Sequence, residues 1–155
     1  MQPFFEDYLL NLGELHNDII DALKGLPLAA LEWSPAADIN SIDVLVVHTV
    51  GAQRFLIGEA VGGDPGNRDR EAEFQVHGLD ADMLTQRLNK SLEYNRSVLE
   101  RLTVEDISSP RDFRGGKRSV GWILDHALKH TATHMGHVQL MRQLWELYGE
   151  TAGNP

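Results

Sequence analysis

The chain is expected to fold as an all-α four-helix bundle. Four long segments repeat their apolar residues at the helical period, Gly- and Pro-bearing loops separate them, and no segment reads convincingly as a strand. Amphipathic helices of such length bury their apolar stripes by packing against one another.

The first helical segment covers about residues 3–24. At about 100° per residue, Phe5, Leu9, Leu12, Ile19 and Leu23 lie within about 40° of one direction. Gly25-Leu26-Pro27 stops it. A short helical piece is expected at residues 28–33, followed by a loop. The second segment starts at Asn40 or Ser41, both good N-caps, and runs to about residue 61. Its β-branched start, from Ile42 to Val47, would suit a strand, but the apolar pattern continues through Phe55, Leu56 and Ile57, too long for one. Gly62-Gly63-Asp64-Pro65-Gly66 ends it, and a polar loop reaches Gly78 with Phe74 and Val76 as anchors.

The third segment runs from Asp80, an N-cap, to about residue 102, with Leu84, Leu88, Leu92, Leu99 and Leu102 on its core face. Residues 103–118 read as a second long loop. The fourth segment starts at Ser119 as N-cap and ends at Tyr148, with Gly149 at the C′ position and a frayed tail over residues 150–155. Both long loops exceed the usual bundle connection and could cover one end of the bundle.

At 155 residues the sequence reads as a single domain over residues 1–155, large enough to bury a core without staples. It contains no cysteine, which excludes disulfides, thiolate metal sites and a cysteine nucleophile and fits a reducing compartment. A formal charge of -9 works against phosphate backbones, so nucleic-acid binding is not expected. The start of the chain lacks the pattern of a signal peptide, and no apolar run is expected to reach the length of a membrane span. A soluble cytoplasmic protein is the resulting expectation.

Chemistry concentrates in Asp125-His126-Ala127-Leu128-Lys129-His130-Thr131-Ala132-Thr133-His134-Met135-Gly136-His137. Residues four apart share a helix face, so His130 and His134 can aim at one point. With Ile123 at zero, His130 falls at about -20° and His134 at about +20°, the middle of the stripe that must face the core. His137 and His126 lie toward its edge. A buried imidazole without a partner costs about 1 to 3 kcal/mol. Metal coordination answers that cost for both rings, and so would hydrogen bonds to side chains or water; spacing alone leaves both readings open. A metal site needs at least a third ligand from another helix. By periodicity His16, central between Leu12 and Ile19, is the better third candidate, and His48 is ambiguous. His77 falls in a loop and is expected to be solvated.

Two stretches carry a family resemblance. Asn40-Ser41-Ile42-Asp43-Val44-Leu45-Val46-Val47-His48 resembles the helix-two histidine segment of the DinB/YfiT-like family of metalloenzymes. His130-Thr131-Ala132-Thr133-His134-Met135-Gly136-His137, followed by Arg142, resembles its H-x-x-x-H-x-G pattern with an arginine six residues after the glycine. The resemblance spans essentially the whole chain. It implies a four-helix bundle in which His48, His130 and His134 bind a divalent metal, zinc or nickel being expected. Relatives often carry glutamine where this chain has His137. The resemblance also implies a homodimer and either thiol-dependent S-transfer or isomerisation, using a low-molecular-weight thiol, or hydrolysis.

Three histidines leave an open position that can polarise a carbonyl, acidify a water or accept a thiolate. Neither G-x-S-x-G nor H-E-x-x-H occurs. His16 and His137 are the candidate acid–base groups, the first because it is central on its stripe, the second because it borders the ligand pair. Asp125, Glu59 and Gln53 are candidates to hold the ligands in place. The cluster Arg111, Arg114, Lys117 and Arg118 reads as a solvated loop that could attract an acidic substrate if it lay at a pocket mouth. The competing function is a metal- or ligand-binding bundle without catalysis.

Overall fold

The computed structural model describes residues 1–149. The frayed tail expected at residues 150–155 lies outside them. Helix α1 spans Pro3–Leu23 and is followed by a single turn, α2, at Leu28–Leu31. Helix α3 spans Ile42–Gln53 and continues without a break as a π-helix over Arg54–Val61. Helix α4 covers Ala81–Leu99, and α5 covers Val120–Leu144 with a last π turn at Trp145–Gly149. The chain belongs to the four-helix-bundle class that its periodicity predicts, built from α1, α3, α4 and α5.

The helix boundaries follow from local chemistry. Pro3 sits in the first turn of α1, where its missing N–H leaves no bond unmade. Gly25, at φ +74°, provides the left-handed exit from it. Asp80 accepts from the Met83 N–H at 2.8 Å, and Ser119 from the Trp122 N–H at 3.2 Å, as N-caps do. Ser41 rather than Asn40 is the N-cap of α3, but its hydroxyl bonds the Asp43 carboxylate, which in turn takes the Val44 N–H at 2.8 Å. Arg142, the arginine of the sequence pattern, donates to Ala22 O at 3.0 Å and Lys24 O at 2.8 Å. It therefore satisfies carbonyls at the C-terminal end of α1.

The loop over residues 103–118 is more ordered than its composition suggests. A 3₁₀ turn at Val104–Ser108 leads into strands β1, Pro110–Phe113, and β2, Gly116–Ser119. They pair antiparallel, with Phe113 opposite Gly116. Both turn residues have positive φ, Arg114 at +49° and Gly115 at +79°, the signature of a type I′ hairpin turn. Strands of four residues are too short to show alternation, and arginine disguises the turn. At the C-terminus, Gly149 lies within the π turn instead of forming a left-handed C′ cap. The i→i+5 winding of that turn breaks the 3.6-residue register, and Tyr148, the last residue of the expected segment, is exposed.

The core has two apolar halves. Phe5, Leu9, Leu12, Leu56, Ile57 and Ile123 belong to one; Ile19, Leu23, Val46, Leu84, Leu88 and Met141 to the other. Between them lies a level at which every main helix buries a polar residue: His16, Gln53, Asn95 and Thr131. The candidate site adjoins this layer, since His130 and His134 lie on either side of Thr131 along α5. One expectation needs correction: Ile42–Val61 is long and apolar enough to cross a membrane. Its apolar surface is used inside the bundle, where 67% of that window is buried. Its apolar residues fall on most sides because neighbouring elements cover most of its surface.

Candidate metal centre

Helix α3 presents His48, and α5 presents His130 and His134 one turn apart. One ligand nitrogen from each lies within 4.8 Å of the others. The ring centroids of His48 are 5.1 Å from both His130 and His134, which are themselves 4.5 Å apart. A tetrahedral ion with bonds of about 2.0–2.1 Å needs nitrogens about 3.4 Å apart, so a small contraction would close the set. His130 Nδ1 is buried with no hydrogen-bond partner. That orphaned nitrogen, in a trio of imidazoles at one point, fits a divalent ion.

The wheel position of His48 is ambiguous for a physical reason. Residues on nearly every face of α3 are buried, from Ile42 through Val47 and again at Thr49, Ala52 and Gln53. A helix without a polar face has no stripe centre against which to judge a histidine.

The electrostatics keep His130 and His134 neutral. Burial lowers the His130 pKa to about 3, with the neighbouring His134 and His48 adding to the effect. Burial, then His48 and His137, lowers that of His134 to about 4. Both rings are neutral near pH 7, the form that ligates a metal.

Sequence reasoning missed the group that orients His48. Its Nδ1 lies 2.9 Å from Glu73 Oε2, so Nδ1–H donates to the carboxylate and Nε2 keeps the lone pair. Glu73 comes from the 3₁₀ turn Ala72–Phe74 in the loop after α3. Arg68 clamps the carboxylate, with Nε donating to Oε1 at 2.5 Å and Nη2 to Oε2 at 2.7 Å. Gly51 makes room for it: a Cβ there would fall 2.1 Å from Glu73 Oε1. A glutamate in a polar loop carries no spacing signal, and only Gly51, a glycine inside a helix three residues after His48, hinted at a close approach. The three partners weighed from sequence lie elsewhere. Gln53 is in the buried polar layer, Asp125 pairs with Lys129 at 2.8 Å, and Glu59 lines an outer chamber.

The other histidines separate clearly. His137 is exposed at the rim, its Nδ1 3.4 Å from His134 Nδ1. His126 stacks on Trp122 at 5.1 Å and lines the cavity beside His130. His77 is exposed, as expected. His16 is buried as its stripe position predicts, but bonds Gln53 and is not brought into the ligand trio. Gln53 Oε1 accepts from Ser91 Oγ and Asn95 Nδ2, while its Nε2 donates to Thr131 Oγ1 and His16 Nε2. Periodicity identifies a buried residue without saying which buried cluster it joins. Above His48, Phe74 packs at 5.0 Å, so the first long loop supplies both a hydrogen-bond partner and an apolar wall.

The family model described as the DinB superfamily matches residues 12–138, which include all three histidines. Among solved structures, the crystal structure of the conserved protein of locus from Enterococcus faecalis is similar, with a TM-score of 0.75 at 17% identity. The alignment covers 93% of this chain and 98% of that one. Identity that low supports the fold alone. Comparison with curated proteins gives no match.

Proposed function

Because the chain belongs to the DinB superfamily, we propose that it is a divalent-metal enzyme that uses a low-molecular-weight thiol as cosubstrate in S-transfer. The observation that supports this most is the convergence of three imidazoles with a dedicated carboxylate behind one of them. His48, His130 and His134 would hold the ion, zinc or nickel. A divalent ion so held supplies Lewis acidity and lowers the pKa of a thiol or water that reaches it.

The chain's own residues do the rest. Glu73 keeps the His48 proton on Nδ1, and Arg68 keeps Glu73 in place. Phe55 in the cavity wall and Phe74 over His48 restrict water around the histidines. His137, exposed beside His134, is the group we assign to take the proton from an incoming thiol. His16 bonds Gln53, whose amide reaches Thr131 next to His130, and we assign it a supporting role in place of proton transfer. The proposal includes a cytoplasmic homodimer, and sedimentation equilibrium at micromolar concentration tests the assembly.

The test of function compares zinc- or nickel-loaded protein with chelated protein, against a panel of electrophiles, with and without several small thiols. Turnover that requires both metal and thiol supports the proposal. Turnover with water alone reassigns the protein as a hydrolase. An activity that survives chelation and His130→Ala removes the metal from the reaction altogether.

A further inference from the structure

The loop after α3 and the β1–β2 hairpin bring three guanidinium groups to the opening above the histidines. Arg68, Arg70 and Arg114 line, together with His48 and His130, a cavity of about 150 Å³. The same arginines continue into an outer chamber of about 410 Å³. This convergence runs against the charge of the whole chain, -9.

The three charges are not equally engaged. Arg68 is committed to Glu73 through two bonds. Arg70 rests 4.9 Å above the Phe74 ring, and Arg114 lies 5.1 Å from Phe113 and 6.0 Å from Phe55. Among the described residues, no ion pair joins Arg70 or Arg114 to a carboxylate. Aromatic contact fixes a guanidinium plane while leaving N–H groups free to donate. Arg114 also holds φ +49°, and it is the one described non-glycine residue with positive φ. Glycine or asparagine occupies that turn position at lower cost, so the turn carries its guanidinium at some backbone strain.

The charge of the inner site is also incomplete. The Arg68 guanidinium and the Glu73 carboxylate offset one another there through two bonds. Glu59 stands in the outer chamber, with Oε1 buried and unpartnered, and offsets one free guanidinium there. The inner cavity is lined by no carboxylate. We propose that Arg70 and Arg114 form an anion subsite that takes a carboxylate of a small substrate whose reacting end lies at the histidines. This rests on the metal-enzyme reading and names its substrate class.

The test uses succinate, with inorganic phosphate and uncharged succinamide for comparison, on the full chain in chelated and zinc-loaded forms. Calorimetry should show saturable succinate binding that weakens with salt. The double substitution Arg70→Gln, Arg114→Gln should weaken it about tenfold or more, while Arg114→Lys alone should lose only part of it. Zinc stoichiometry by elemental analysis should not change in these variants. Succinamide binding as well as succinate, or the double variant binding as well as the parent, overturns the subsite. Phosphate binding more tightly than succinate overturns the carboxylate assignment. Succinate binding through the arginines in a protein that fails to hold zinc keeps the anion subsite and removes the enzyme reading.

Discussion

His48 Nδ1 donates to Glu73 Oε2 over 2.9 Å, and this bond decides which nitrogen of His48 is left to ligate. The carboxylate is only 7% exposed, and Arg68 holds it by two further bonds. A carboxylate behind a ligating imidazole fixes the ring and raises its basicity. Glu73→Gln keeps the size and removes the charge. It should weaken zinc affinity about 10- to 100-fold with the fold intact, as such partners do elsewhere. Competition against a chromophoric chelator measures this, and an unchanged affinity would show that His48 needs no such support.

Gly51→Ala should act on the same bond from the other side. Alanine favours a helix interior over glycine by about 1 kcal/mol, so propensity alone predicts a more stable protein. The new Cβ, however, would fall 2.1 Å from Glu73 Oε1, and the clamped carboxylate has to move. The expected result is weaker zinc binding without loss of metal-free stability. In a double-mutant cycle, Gly51→Ala and Glu73→Gln should be far from additive, because both act through one contact. Additive losses in zinc affinity would separate them.

The pair His130 and His134 was legible in the sequence because two polar rings at the centre of an apolar stripe require an explanation. The stripe of α1 was legible for the same reason, and Phe5, Leu12 and Ile19 are fully buried. His48 could not be placed by angle, since α3 is buried on most sides, and came only from resemblance. Glu73, Arg68 and Arg70 were illegible because loop residues follow no period; they meet His48 and His130 through a path that only the folded chain defines. The β1–β2 hairpin escaped for lack of length, and with it the position of Arg114 at the cavity.

Stability without metal should depend on pH through the buried histidines. Burial lowers the His16 pKa to about 4, and those of His130 and His134 to about 3 and 4. In the unfolded chain each titrates near about 6.5. Below that value the unfolded state binds more protons than the folded one, so stability rises with pH there. The contribution is complete above about pH 6.5 and is lost as pH falls from there through about 4 for His16 and His134 and toward about 3 for His130. Urea midpoints of chelated protein should therefore hold steady above neutrality and decline on acidification, less steeply in a His130→Asn, His134→Asn variant. A midpoint with the same acid slope in that variant would mean that other groups carry the effect.

Gln53 is where the largest loss of stability is expected. Its side chain is 1% exposed and joins all four main helices. Its Oε1 accepts from Ser91 Oγ at 2.8 Å and Asn95 Nδ2 at 3.0 Å; its Nε2 donates to Thr131 Oγ1 at 3.0 Å and to His16 Nε2 at 2.8 Å. Gln53→Leu keeps most of the volume but strands those partners. Thr131 retains its bond to Ala127 O, whereas His16 and Asn95 each already have one unpartnered atom and lose the bond that offsets it. A buried polar group left unsatisfied costs about 1 to 3 kcal/mol, so two or three of them make roughly 3 kcal/mol or more. That is a large share of the 5 to 15 kcal/mol, roughly, that holds a domain of this kind together. Gln53 does not touch the trio, so zinc stoichiometry should persist in the variant while it remains folded. This separates it from Glu73→Gln, which should move metal affinity more than stability. A loss below about 1 kcal/mol in urea unfolding would mean that water enters the layer and replaces the glutamine's bonds.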